Sequence, residues 1–67
     1  MSDFIARLED EAEQLKDKHT KLVAFMESDK FSQVSDRQQT FLTDQEYYMG
    51  KYLRILEERI VDLKEQQ

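Results

Sequence analysis

The stretch that decides the fold is residues 5–26, which read IARLEDEAEQLKDKHTKLVAFM. Within it, apolar residues and one histidine recur at alternating steps of three and four. These positions are Ile5, Leu8, Ala12, Leu15, His19, Leu22 and Met26. Such spacing forms one stripe along an α-helix and is typical of helices that pack side by side. The pattern predicts a first helix over about residues 3–27.

A second stripe with the same alternation lies further along the chain. Its positions are Leu42, Gln45, Met49, Tyr52, Leu56, Arg59 and Leu63. Ser35 is followed three residues later by Gln38, which together form a capping box at a helix start. This signal predicts a second helix that begins near Asp36 and ends near Lys64, about 45 Å long at 1.5 Å per residue.

The connector between the two stripes, residues 28–34, is too polar for a buried strand. Ser28 is positioned to cap one extra helical turn that would bring Phe31 and Val34 against the helices. The chain contains no Pro and one Gly, and 37% of its residues are charged. These features predict an all-α fold, an antiparallel helical hairpin with a short helical elbow, forming a single domain over residues 1–67.

Assembly into a compact homo-oligomer is also expected. A chain of 67 residues buries only about 60% of the surface of its unfolded form. It has no Cys and one His, so neither a disulfide nor a zinc site can support it. The second helix also carries apolar residues beyond one stripe, namely Phe41, Tyr48, Ile55, Leu53 and Ile60. Helices of neighbouring copies are expected to cover them.

Several classes of function are disfavoured by composition. The formal net charge of −5 argues against general binding to DNA or RNA, which requires clustered Lys and Arg. No apolar run approaches the roughly 20 residues that cross a bilayer, so a cytosolic protein is expected. The sequence has no phosphate-binding loop, nucleophile elbow or metal-spaced cluster. We therefore expect no enzymatic activity, no catalytic residue, no metal and no cofactor.

Two residues on the predicted stripes invite a functional interpretation. His19 is the residue best suited to proton transfer near neutral pH, but its position on the stripe favours a structural histidine, partly buried and hydrogen-bonded. Arg59 has two interpretations that the sequence leaves open. It is either an ion-pair partner for an acidic residue such as Glu9 or Glu13, or an anion-binding residue, because its guanidinium fits phosphate.

Lys18, Thr20 and Lys21 follow a strongly acidic start of the chain. A basic spot with a hydroxyl group could bind a small anion at a boundary between copies, although a solvated helix face explains the same residues. Aromatic residues are also frequent for so small a chain, with four Phe and three Tyr. Most are expected in the core, and one or two at an interface could stack on bases.

Residues 21–31, KLVAFMESDKF, and residues 49–60, MGKYLRILEERI, resemble a group of small phage proteins. The chain is similar over nearly its whole length to the hairpin domain of phage anti-CBASS sponges and some anti-Thoeris sponges. The resemblance implies a homo-oligomer, a hexamer, in the cytoplasm of the infected bacterial host. It would bind cyclic di- and trinucleotide messengers without cleaving them.

The resemblance also implies roles for four residues. Phe4 would stack on a base and Lys18 would contact phosphate in a cyclic dinucleotide pocket between copies. Thr20 and Arg59 match positions associated with separate cyclic trinucleotide pockets. The alternative is a helical structural or regulatory module, such as an adaptor or antitoxin, that binds another protein and no small molecule.

Overall fold

Two long helices and one short turn make up the chain in the computed structural model, which describes residues 2–66. Helix α1 spans Ser2–Met26, a 3-10 turn spans Asp29–Gln33, and helix α2 spans Asp36–Glu65. Residues 2–66 contain no strand, and α1 packs antiparallel to α2. The rod measures 48 × 14 × 13 Å. The predicted all-α hairpin with a helical elbow is confirmed; Met1 and Gln67 of the predicted domain lie outside the described residues.

The start of α2 follows its capping signal. The Ser35 hydroxyl accepts a hydrogen bond from the backbone N–H of Gln38 at 3.1 Å, which satisfies one of the free donors of the first turn. The side-chain amide of Gln39 donates to the Val34 carbonyl at 3.0 Å and fixes the approach to the helix. The predicted start at Asp36 is confirmed, and the helix ends one residue beyond the predicted Lys64.

The elbow forms as expected, but not through the predicted cap. Ser28 precedes the turn and makes no side-chain capping bond. Its hydroxyl instead donates to the Phe25 carbonyl at 2.6 Å, and this carbonyl at the end of α1 also accepts from the backbone N–H of Ser28 at 3.1 Å. Phe31 packs edge-on against Phe25, with ring centroids 6.3 Å apart. Phe31 and Val34 are both half-buried, so the elbow covers the end of the hairpin.

The hydrophobic core lies in the half of the rod that contains the start of α1 and the end of α2. Its buried residues are Ile5, Leu8, Ala12 and Leu56. Leu56 is the most enclosed, at 1% exposure, and its burial stabilises the fold by about 1.5–3 kcal/mol. Half-buried residues pack around this centre, namely Leu15, Leu53, Ile60 and Leu63. Every position of the predicted α1 stripe is buried or half-buried, so that prediction is confirmed.

The predicted stripe of α2 is only half right. The residues of α2 that are buried or half-buried at alternating steps of three and four are Gln39, Leu42, Glu46, Met49, Leu53, Leu56, Ile60 and Leu63. Gln45, Tyr52 and Arg59, which were predicted on the stripe, are exposed. Leu53 and Ile60 belong to the hairpin interior instead of a stripe left for other copies. The helix is rotated towards them because Leu and Ile gain more from burial than Tyr and Arg.

Large apolar side chains remain exposed outside the hairpin interior. They are Phe4, Phe41, Tyr47, Tyr48, Tyr52, Ile55 and Val61. Three of them, Phe41, Tyr48 and Ile55, recur every seven residues on α2, and we refer to these three as the outer stripe. Their predicted exposure is confirmed. Within the described residues, neither α1 nor α2 contains an apolar stretch that could span a bilayer.

Candidate functional site

The interior of the hairpin contains a polar contact between its middle and the elbow. His19 of α1 and Glu46 of α2 form a hydrogen bond of 2.9 Å between Nε2 and Oε2, and both side chains are half-buried. The imidazole lies against α2 at Gly50, where an added Cβ would be 3.4 Å from Nε2. The structural interpretation of His19 is therefore confirmed. Glu46 and Gly50 were not predicted from the sequence. An acidic residue of the second helix that an antiparallel hairpin brings opposite His19 could have indicated Glu46.

Two flanks of α1 border this polar contact. Successive residues of an α-helix are rotated by about 100°, so Lys18 and Thr20 point to nearly opposite sides, with His19 between them. Phe4, Glu11 and Lys18 recur every seven residues and therefore share one side, which we call the Lys18 flank. Thr20 lies on the other side, the Thr20 flank. All four residues are exposed.

A bond between the helices fixes which part of α2 borders the Lys18 flank. The Tyr52 hydroxyl donates to the Glu11 carboxylate. This hydrogen bond raises the pKa of Tyr52, as do desolvation and the charge of Glu11, whereas the charge of Arg59 lowers it. Arg59 follows Tyr52 by seven residues and so lies on the same side of α2. Phe4, Lys18 and Arg59 consequently share one side of the rod.

The candidate residues are not gathered into one pocket of a single chain. Phe4 and Lys18 are separated by 14 positions of one helix, which is about 21 Å along its axis. Thr20 and Arg59 lie on opposite flanks. Thr20 borders an open surface groove together with acidic residues of α1, namely Asp10, Glu13 and Asp17. A ligand that touches both members of either pair must therefore receive them from different copies.

Arg59 is available to bind an anion. It is exposed and, among residues 2–66, makes no ion pair within 4 Å, whereas Lys64 Nζ approaches the Glu9 carboxylate at 2.5 Å. The ion-pair interpretation of Arg59, with Glu9 or Glu13 as the partner, is therefore not borne out within residues 2–66. The reason is the rotation of α2, which turns Lys64 towards Glu9 and carries Arg59 to the other flank. Lys18 also makes no ion pair within the described chain.

Comparison with known proteins supplies a family for this hairpin. A family model named Sequestin matches residues 2–62, which include all of α1, the elbow and most of α2. The chain belongs to the Sequestin family. The family name agrees with the resemblance to phage sponges at the coarse level of a sequestering protein. No curated protein and no solved structure shows significant similarity to the chain.

The exposed side chains of this Sequestin hairpin include cations and aromatic rings. Lys18 and Arg59 are exposed cations, and Phe4, Tyr48 and Tyr52 are exposed aromatic side chains. Within residues 2–66, no three His, Cys, Asp or Glu side chains are arranged to hold a metal ion. The half-buried histidine is engaged by Glu46. Cations with aromatic rings on one face can recognise a ligand that combines phosphates with bases.

Proposed function

We propose that this Sequestin-family protein binds and sequesters cyclic oligonucleotide second messengers without cleaving them. It would thereby block CBASS-type anti-phage signalling in the cytoplasm of the infected bacterial host. The observation that carries the proposal is the family match over residues 2–62. Exposed cations and aromatic rings on the Lys18 flank support it, because a cyclic dinucleotide presents two phosphates and two bases.

In this proposal the cyclic dinucleotide pocket lies between copies. The separation of about 21 Å between Phe4 and Lys18 requires that one copy supplies the ring and another supplies the cation. A twofold interface provides each residue twice. Charge-assisted bonds to phosphate contribute about 1.5–3 kcal/mol each and base stacking about 1–3 kcal/mol per base. Two of each amount to about 5–12 kcal/mol before the cost of association, enough for capture by a rigid pocket.

Cyclic trinucleotides would occupy a different pocket. Thr20 offers a hydroxyl donor and acceptor, and Arg59 offers a planar fork for phosphate. These residues lie on opposite flanks of a single chain, so this pocket also needs two or more copies. The proposal assigns Phe4 and Lys18 to the dinucleotide pocket and Thr20 and Arg59 to the trinucleotide pocket, so the two pockets share no residue. The two classes of messenger would therefore bind independently.

A titration with defined ligands tests the binding proposal. Isothermal calorimetry with a panel of cyclic di- and trinucleotides, and with linear dinucleotides as controls, should give saturable binding of the cyclic forms. Lys18→Ala should weaken cyclic dinucleotide binding at least tenfold, since one lost charge-assisted bond is worth about 1.5–3 kcal/mol. Lys16→Ala is the matched control, because Lys16 lies on the opposite side of the same helical turn. If Lys18→Ala and Lys16→Ala bound the cyclic dinucleotide equally well, Lys18 would be a solvated surface residue that does not contact the ligand.

Arg59 is tested by melting the protein with and without a cyclic trinucleotide. Arg59 is exposed and unpaired within residues 2–66, so Arg59→Ala should leave the unliganded melting temperature nearly unchanged. The stabilisation that the trinucleotide gives to the wild type should disappear. Retained Lys18-dependent dinucleotide binding in the same variant would support two separate pockets. A large loss of stability without ligand would instead assign Arg59 a structural role.

The same proposal requires an oligomer, and we propose the hexamer that the resemblance to phage sponges implies. The outer stripe is the surface that other copies would cover, because its three apolar side chains lie outside the hairpin interior. Ile55→Glu should disperse the assembly, since it would bury a charge in an apolar contact. Val61→Glu, on a different exposed face of α2, is the control. Light scattering that gives a stable 8.1 kDa monomer for the wild type would reject the assembly.

A second candidate function is favoured by the outer stripe alone. An exposed apolar stripe is also typical of helical modules that bind another protein. Such an adaptor or antitoxin would have no small-molecule ligand. The calorimetric titration separates the two functions: an intact oligomer that releases no heat with any cyclic nucleotide would favour the protein-binding module.

A further inference from the structure

The hairpin interior becomes polar at the turn of α1 that carries two candidate binding residues. Lys18 and Thr20 lie on opposite flanks of this turn, and His19 between them faces α2. At this level the partners of His19 are a carboxylate, Glu46, and a glycine, Gly50. The orientation of this turn about the axis of α1 therefore determines where both flanking side chains point.

We propose that the His19–Glu46 bond, seated on Gly50, is a clamp that positions both Lys18 and Thr20 for ligand binding. None of the three clamp residues is proposed to touch a ligand. The inference rests on the proposed binding function and adds to it a shared positioning element. It makes one prediction that independent pockets do not: damage to the clamp weakens both classes of ligand together.

A directional bond is needed here because apolar packing alone restrains rotation weakly. Leu15 and Leu22, the neighbours of His19 on the same stripe, are only half-buried, and contacts between apolar surfaces are non-directional. A hydrogen bond between Nε2 and Oε2 restrains both distance and angle. With a helix radius of about 5–6 Å including side chains, a roll of about 20° moves a surface group by about 2 Å. That displacement exceeds the tolerance of a hydrogen bond to phosphate.

Gly50 supplies the second half of the clamp. The distance of 3.4 Å from an added Cβ to Nε2 is ordinary contact, so alanine would fit and a longer side chain would not. A leucine at this position would have to displace the imidazole from α2. Glycine in the interior of a 30-residue helix costs about 0.5–1 kcal/mol relative to alanine. Close approach of the ring gives a reason for a small residue here.

The test compares affinities for a cyclic dinucleotide and a cyclic trinucleotide in full-length variants, measured by calorimetry at a temperature where circular dichroism shows every variant folded. His19→Ala and Glu46→Ala should each weaken both ligands about tenfold. His19→Gln keeps an N–H donor for Glu46 and should restore most of both affinities. Lys18→Ala should affect only the dinucleotide and Thr20→Ala only the trinucleotide. Glu57→Ala, an exposed carboxylate of α2, is the matched control.

The Gly50 variants provide a second, graded measurement. Gly50→Ala should retain both affinities and Gly50→Leu should lose both. A wild type that binds ligands, together with a His19→Ala variant that binds them equally well, would overturn the clamp and leave the proposed function standing. A loss confined to one ligand would also overturn it. A wild type that binds neither ligand would overturn the proposed function and the clamp with it.

Discussion

The two halves of the hairpin are built on different physical principles. The open half, where α1 begins and α2 ends, contains the buried residues of the described part of the chain, namely Ile5, Leu8, Ala12 and Leu56. The elbow half has only half-buried residues in its interior, and its central contact is the pair His19 and Glu46. Both halves continue one pattern of alternating three and four steps, yet the interior contact is apolar in the open half and polar in the elbow half.

This difference separates stability from orientation. Apolar burial contributes most of the favourable free energy of folding but has no preferred direction. A polar contact contributes less net free energy, because its groups also bond to water when unfolded, but it fixes an angle. We therefore expect the open half to determine how stable the hairpin is. The elbow half should determine which way its exposed side chains point.

The strongest test of this division is a pair of leucine truncations. Leu56→Ala should lower the free energy of unfolding by about 2–5 kcal/mol, because it leaves a cavity at the most enclosed position. Leu22→Ala removes the same atoms from the half-buried elbow half and should cost about 1–2 kcal/mol. Urea denaturation at fixed protein concentration measures both. Equal losses would show that the apolar core extends through the elbow half.

A smaller effect of opposite sign is expected at Gly50. Gly50→Ala should raise the free energy of unfolding by about 0.5–1 kcal/mol, because alanine loses less backbone entropy in a helix. The added methyl group would be in ordinary contact with the His19 ring. Gly50→Val is the comparison, since its branched side chain would meet the ring. If alanine lowered stability instead, the ring would be held too rigidly to adjust, which would sharpen the contrast between the halves.

The smallest effect concerns Tyr52. Because the pKa of Tyr52 is raised in the folded protein, its bond contributes stability below the unfolded pKa of about 10. That contribution is lost as pH rises through the raised folded pKa. The Tyr52 titration follows from the ultraviolet absorbance of the wild type minus that of Tyr52→Phe. Glu11→Gln should move its midpoint to lower pH, and Glu13→Gln should not. If Glu11→Gln left the Tyr52 midpoint unchanged, the hydrogen bond between Tyr52 and Glu11 would not form in solution.

Much of the fold was predictable from the sequence because its signals are local. The heptad spacing of α1 and the cap formed by Ser35 depend on neighbouring residues alone. The rotation of α2 was not predictable in the same way. Two overlapping stripes share Leu42, Met49, Leu56 and Leu63. They differ in whether Tyr52 and Arg59 or Leu53 and Ile60 face α1. The stripe that faces α1 contains Glu46, a charged residue whose place in the interior is explained only by its hydrogen bond to His19 on the other helix.

The candidate site was less accessible to sequence reasoning. Lys18, Thr20, Phe4 and Arg59 came from a resemblance, and one chain does not bring them together. The exposure of Arg59 depends on the rotation of α2, a tertiary property. The bond between Tyr52 and Glu11 joins residues 41 positions apart, which no local pattern encodes. Pockets that need several copies depend on surfaces whose pairing the sequence of one chain leaves undefined.

Glu9 and Glu11 each join α1 to α2 in the open half, and the two contacts differ in their sensitivity to salt. They are two residues apart on α1, so they brace the hairpin from opposite sides, Glu9 through Lys64 and Glu11 through the Tyr52 hydroxyl. The first brace joins two exposed ions and is weakened by salt, whereas the second has a neutral donor and is screened less. Rising ionic strength therefore weakens the Glu9–Lys64 contact more than the Tyr52–Glu11 contact. At high salt, the two sides of the open half would be held unequally, with the Tyr52–Glu11 hydrogen bond as the stronger remaining contact.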